Sequence, residues 1–98
     1  MGSGVTDQYL AYLGANVRRL RLKQGMTQPE LAESIDMDLR FLQRIESGAV
    51  NLRFHSFIRL AERLGVAPAV LLRKVKVHEK VRGRPRKNSA ARSARTRA

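Results

Sequence analysis

Three glycines set the grain of this sequence. Gly25, Gly48 and Gly65 each close a stretch whose apolar residues fall at helical spacing. A glycine just past the last turn ends a helix, because it takes the left-handed backbone at little steric cost. The chain is therefore cut into short helices. In the first, Leu10, Leu13, Val17 and Leu20 make one stripe, with Arg18, Arg19 and Lys23 off it. After Gly25, the run Thr27-Gln28-Pro29-Glu30 is a capping box, in which Thr27 caps the next helix and Glu30 reaches back to it. Met26 and Leu31 have the spacing of the accompanying hydrophobic staple, and Pro29 sits in the first turn, where N–H groups are spare. This second helix is expected to run to about Ile35. Asp36 makes the turn, Asp38 caps a third helix over 39–47, and Met37 with Leu42 repeats the staple. Leu42 and Ile45 face inward. Phe54, Phe57, Ile58, Ala61 and Leu64 predict a fourth helix that stops at Gly65. Pro68 suits the first position of a fifth, with Val70, Leu71 and Leu72 as its buried side. No stretch alternates with period two between hairpin signals, so no sheet is expected. The spacing predicts an all-α fold, a compact five-helix domain over residues 7–74 after a flexible N-terminus at 1–6.

Charge divides the chain elsewhere. Residues 1–72 hold nine Lys/Arg against seven Asp/Glu, a net of +2. Residues 73–98 hold eleven Lys/Arg against Glu79 alone, a net of +10. From Lys80 on, the apolar residues reduce to Val81 and small alanines. Such a segment buries too little surface to offset an ordering entropy of ~1–2 kcal/mol per residue. Residues 75–98 are therefore expected to form a disordered basic tail. A charge this positive points to a polyanion partner, nucleic acid first. The chain has no cysteine and two histidines, His55 and His78, so neither disulfides nor a thiolate or histidine-rich metal site is expected. No cofactor is expected either. No apolar run approaches the ~18 residues of a membrane span, and no secretory signal is read, so no membrane contact and a cytoplasmic location are expected. There is no nucleophile–base set, phosphate-cradling glycine loop or pair of catalytic carboxylates, so the protein is not expected to be an enzyme.

The run Thr27-Gln28-Pro29-Glu30-Leu31-Ala32-Glu33-Ser34-Ile35, followed by Leu42-Gln43-Arg44-Ile45-Glu46-Ser47-Gly48, resembles the phage-repressor/Cro-type (XRE-like) helix-turn-helix family. Ile58-Arg59-Leu60-Ala61-Glu62-Arg63-Leu64-Gly65-Val66 and Leu71-Leu72 match its fourth and fifth helices. The likeness covers about residues 10–72. It implies a lambda-repressor-like DNA-binding domain of bacterial or phage origin, nucleoid-associated in the cell. The second helix would cross the DNA backbone, and the third would enter the major groove, which admits one helix. The outward positions of that helix are Leu39, Arg40, Gln43 and Arg44. Arginine pairs with guanine O6 and N7, glutamine reads adenine, and leucine packs on a thymine methyl. Thr27 and Gln28 stand where the family takes a phosphate at the start of helix two, with the helix dipole behind them. Asn51 and Arg53, in the loop after helix three, would grip the next phosphates. Glu46 pairs in the family with an arginine of helix one, here Arg21, as a tie that holds the fold. Three places depart from the pattern. Asp36 replaces the usual turn glycine, which implies mild strain. Leu52-Arg53 replaces a Pro-Ser-like start to helix four, which weakens its cap. Phe41 stands where a polar or tyrosyl residue is common, and either buries in part or stacks on the sugar-phosphate wall.

A second signal lies in the tail. Lys80-Val81-Arg82-Gly83-Arg84-Pro85-Arg86-Lys87 resembles an AT-hook, with its core at 82–85. In that motif Arg82-Gly83-Arg84-Pro85 lies extended in the minor groove. Glycine lets the backbone approach, proline keeps it extended, and the arginines enter the narrow groove of A·T tracts. Arg86 and the other flanking cations bind phosphate.

Three functional classes follow. The first is a sequence-specific transcriptional regulator, a repressor, bound to double-stranded DNA as a homodimer on an inverted repeat, with a pairing surface about Val66, Val70 and Leu71. The second is a nucleoid architectural protein that reads charge and groove width. The third is a protein-interaction module of the antitoxin type, with an unknown protein partner.

Overall fold

The computed structural model describes residues 4–77, so the AT-hook-like segment at 82–85, Arg86 and His78 lie outside the described residues. The described residues form four α-helices and one 3-10 helix, with no strand: α1 (Gly4–Lys23), α2 (Gln28–Ser34), α3 (Leu39–Glu46), α4 (Phe54–Leu64) and a 3-10 segment, Pro68–Leu72. The first helix starts at Gly4, ahead of the boundary expected at residue 7.

All four α-helices end the same way. In each, the N–H just after a left-handed residue reaches back five positions: Met26 to the Arg21 carbonyl, Met37 to Ala32, Ala49 to Arg44 and Val66 to Ala61, at 2.8–3.1 Å. This motif needs a left-handed residue. Gly25, Gly48 and Gly65 supply it at φ of 73°, 75° and 75°, and Asp36 supplies it at φ 53°. The apolar residues that follow, Met26, Met37 and Val66, fold back onto the core.

α1 runs along α3, α4 and the 3-10 segment, while α2 packs on α3 and α4 on the 3-10 segment. The core draws Leu13, Val17 and Leu20 from α1, Leu31 from α2, Leu42 and Ile45 from α3, and Leu60, Ala61 and Leu64 from α4. Burying each of the larger side chains stabilises the fold by about 1.5–3 kcal/mol.

Two expectations are corrected. The fifth helix is 3-10, closed by Val70 N–H to the Ala67 carbonyl and Arg73 N–H to the Val70 carbonyl. Its three-residue turn aims one face inward. Only Leu71 is buried, with Val70 half-buried and Leu72 exposed, so Leu71 cannot belong to a pairing surface. Phe54, expected on the inner stripe of helix four, is 74% exposed. It is the first helical residue, and the buried face begins a turn later and is filled by Leu60, Ala61 and Leu64.

Three residues in or just past α1 set the frame, and none was singled out from sequence. Gly14 marks the closest approach to α3: a Cβ there would come 2.4 Å from the Ile45 carbonyl oxygen. Asn16, 1% exposed, donates through Nδ2 to the carbonyls of Leu71 (3.1 Å) and Arg73 (3.0 Å). Gln24, just past α1, donates to the Leu64 carbonyl at 2.8 Å.

Candidate nucleic-acid interface

The candidate surface is built on α2 and α3. Thr27 caps α2 by accepting the Glu30 N–H at 3.1 Å, and its own N–H donates to Glu30 Oε1 at 2.8 Å. The Thr27 oxygen is thus used as an acceptor, which leaves its hydroxyl proton to donate outward. Asp38 caps α3 by accepting the Arg40 N–H at 3.1 Å. Leu42 and Ile45 are 0% and 1% exposed, which fixes the rotation of α3 about its axis. Arg40, Gln43 and Arg44 then face solvent, and Leu39 is half-buried. The Arg40 and Arg44 side chains make no ion pair among the described residues. Long cationic side chains without a protein partner, on the outer face of a rigid helix, are the chemistry that anionic nucleic acid requires.

Beneath them lies a polar chain. Arg21 donates to Glu46 through Nε (2.7 Å) and Nη2 (3.0 Å), and through Nη1 to the Met26 carbonyl (2.9 Å). Both side chains of this pair are over nine-tenths buried. Gln28 donates to Glu46 Oε1 at 3.0 Å, and Gln43 donates to Gln28 Oε1 at 3.4 Å. The pairing of Arg21 with Glu46 is as expected. The engagement of Gln28 was not legible, because its partners lie 15 and 18 residues away on α3. Gln28 here positions Gln43, with one amide proton and one oxygen lone pair still available.

Asn51 and Arg53 are exposed in the loop between α3 and α4. Arg53 is also the cap residue of α4 and makes no side-chain cap bond, as the departure from the family pattern implied. Phe41 is half-buried and packs against the core, in line with the first of its two alternatives. Arg19 donates to Asn16 Oδ1 at 3.1 Å, so it braces the buried amide. Arg18, by contrast, lines an open groove with Gln28, Gln43, Glu46 and Ser47. Val77, the last described residue, lines the same groove. Among the described residues no cluster of His, Cys, Asp or Glu could hold a metal ion, and no helix is long and apolar enough to cross a membrane.

A family model described as helix-turn-helix matches residues 17–71. No curated protein matches the chain. Among solved structures, the chain is similar to a hypothetical transcription factor from Neisseria, at 29% identity and a TM-score of 0.66, covering 70% of this chain and 79% of that one. It is similar to the restriction-modification controller protein C.AhdI from Aeromonas hydrophila, at 29% identity and a TM-score of 0.60, covering 63% of this chain and 94% of that one. It is also similar to the clp gene regulator ClgR from Corynebacterium glutamicum, at 28% identity and a TM-score of 0.62, covering 65% and 68%.

Proposed function

This chain belongs to the helix-turn-helix family, whose members regulate transcription by binding double-stranded DNA, and from that premise we propose that it is a sequence-specific repressor that reads the major groove with α3. The observation that carries this reading is the division of α3. Leu42 and Ile45 lock one face into the core, and Arg40, Gln43 and Arg44 are left outward. Arg40 and Arg44 take guanine edges, Gln43 an adenine edge, and Leu39 a thymine methyl. Each good bidentate pair discriminates by ~1–3 kcal/mol. Thr27, Gln28, Asn51 and Arg53 bond phosphates and set the register. Repression follows when the bound operator overlaps a promoter.

An α3 of eight residues reads few base pairs, so a homodimer on an inverted repeat supplies the rest of the specificity. Arg82-Gly83-Arg84-Pro85 adds contacts in an A·T-rich minor groove beside each half-site, with Arg86 on phosphate. Tethering makes that second contact intramolecular, which raises affinity without a new folded interface. Selection of bound duplexes from a randomised DNA pool at near-physiological salt tests the reading. An enriched inverted repeat is expected. Enrichment of A·T content without a motif would replace the repressor with an architectural protein.

A further inference from the structure

The open groove between α1 and α3 has a volume of about 380 Å³. From α1 it is lined by Ala11, Ala15 and Arg18, whose spacing puts them on one face of the helix. Gly14, between the alanines in sequence, brings α1 against the Ile45 and Glu46 carbonyls, and the two small side chains keep that wall low. Arg18, the next residue on the face, is long, cationic and exposed. It makes no hydrogen bond or ion pair among the described residues. Its neighbours differ: Arg19 is engaged with Asn16, and Arg21 with Glu46.

We infer that this groove seats a phosphate of the DNA backbone and that Arg18 supplies the charge which holds it. The inference rests on the DNA-binding reading above and extends its surface from α2 and α3 onto α1. With α3 in the major groove, residues on its flank face the sugar-phosphate wall. Gln43 belongs both to the outward set of α3 and to the lining of the groove, so the two surfaces are continuous. The unused donors fit an anion. Gln28 gives one amide proton to Glu46, and Gln43 gives one to Gln28, so each amide keeps a second. The guanidinium of Arg18 adds a planar fork that matches phosphate oxygens. Glu46 also lines the groove, but its side chain is 3% exposed and its charge is met by Arg21 at 2.7 Å. The Ser47 hydroxyl is turned to the Arg44 carbonyl at 2.9 Å. A further wall comes from the segment after the 3-10 helix. Asn16 bonds the Arg73 carbonyl at 3.0 Å, Val75 is half-buried, and Val77 reaches the groove. Lys74 and Lys76 of that segment are exposed, which makes the surroundings positive.

The test is the salt dependence of binding, followed by fluorescence anisotropy with the full chain, on a duplex of random sequence and on the selected operator. A phosphate contact carries no sequence information, so the random duplex tests Arg18 whether or not the repressor reading stands. Arg18→Ala removes a side chain without a protein partner, so folding is preserved and Tm is unchanged. It should lower the slope of log K against log salt by about 0.9 per bound copy, equally on both duplexes, and leave the selected motif unchanged. Arg18→Lys should keep the wild-type slope. Lys23→Ala is the control, since Lys23 lies about 140° around α1 from Arg18, and it should change nothing. A wild-type slope from Arg18→Ala, or the same drop from Lys23→Ala, overturns the inference; the second result assigns the loss to net charge. A drop specific to Arg18→Ala in a protein that selects no motif supports the phosphate seat and removes the repressor. A wild type that binds neither duplex overturns both.

Discussion

α2 begins with a reciprocal cap, Thr27 and Glu30 each bonding the other's backbone, while α4 begins at Arg53 with no side-chain cap. The difference extends to their surroundings. The starts of α2 and α3 are fixed by bonds between residues two or three apart. The last turn of α4 and the 3-10 segment are clasped by Gln24 and Asn16 of the α1 region, across 40, 55 and 57 positions. The half that carries the proposed DNA surface is thus made of helices that specify their own ends. The supporting half is made of elements that α1 gathers from a distance. Arg21 and Glu46 join the two halves.

That division sets the order of expected effects. Glu46→Ala breaks the tie and leaves Arg21 buried without its carboxylate, which costs about 3–5 kcal/mol. Denaturant unfolding should show the loss, and a change under 1 kcal/mol would mean the two halves hold together without it. Gly14→Ala drives a Cβ into the backbone of α3, where three atoms lie within 2.9 Å, and overpacking of this kind costs about 1–3 kcal/mol. Alanine normally favours a helix over glycine, so the sign alone is diagnostic. Asn16→Ala strands two carbonyls at the end of the 3-10 segment. The expected loss is about 1–3 kcal/mol, with faster amide exchange there than in α2. Thr27→Ala removes one local cap, worth about 1 kcal/mol, and should lower Tm by about 4–8 °C without loosening the 3-10 segment. Equal loosening of both halves by Asn16→Ala and Thr27→Ala would erase the distinction.

The same division explains what the sequence disclosed. Thr27, Glu30, Asp38 and the three glycines act on their neighbours, so spacing alone locates α2, α3 and the ends of α1 and α4. The turn strain expected at Asp36 is present as a positive φ. Gly14, Asn16 and Gln24 carry no local pattern. Gly14 sits mid-helix, where propensity argues against it, and its use appears only when α3 lies across it. The bond from Gln28 to Glu46 was hidden for the same reason, although both residues were singled out. Phe54 misled because helical spacing cannot tell a core position from an exposed apolar one at a helix start. The outward set on α3 was readable because Leu42 and Ile45 fix its rotation.

In the proposed complex this rotation aims Arg44 at a base edge. The direct measurement is parallel selection of duplexes from a randomised pool by the wild type and by Arg44→Ala, with Tm recorded for both. The expected result is an unchanged Tm and a motif that loses its preference at one position of each half-site. The same motif at undiminished information content from Arg44→Ala would contradict it.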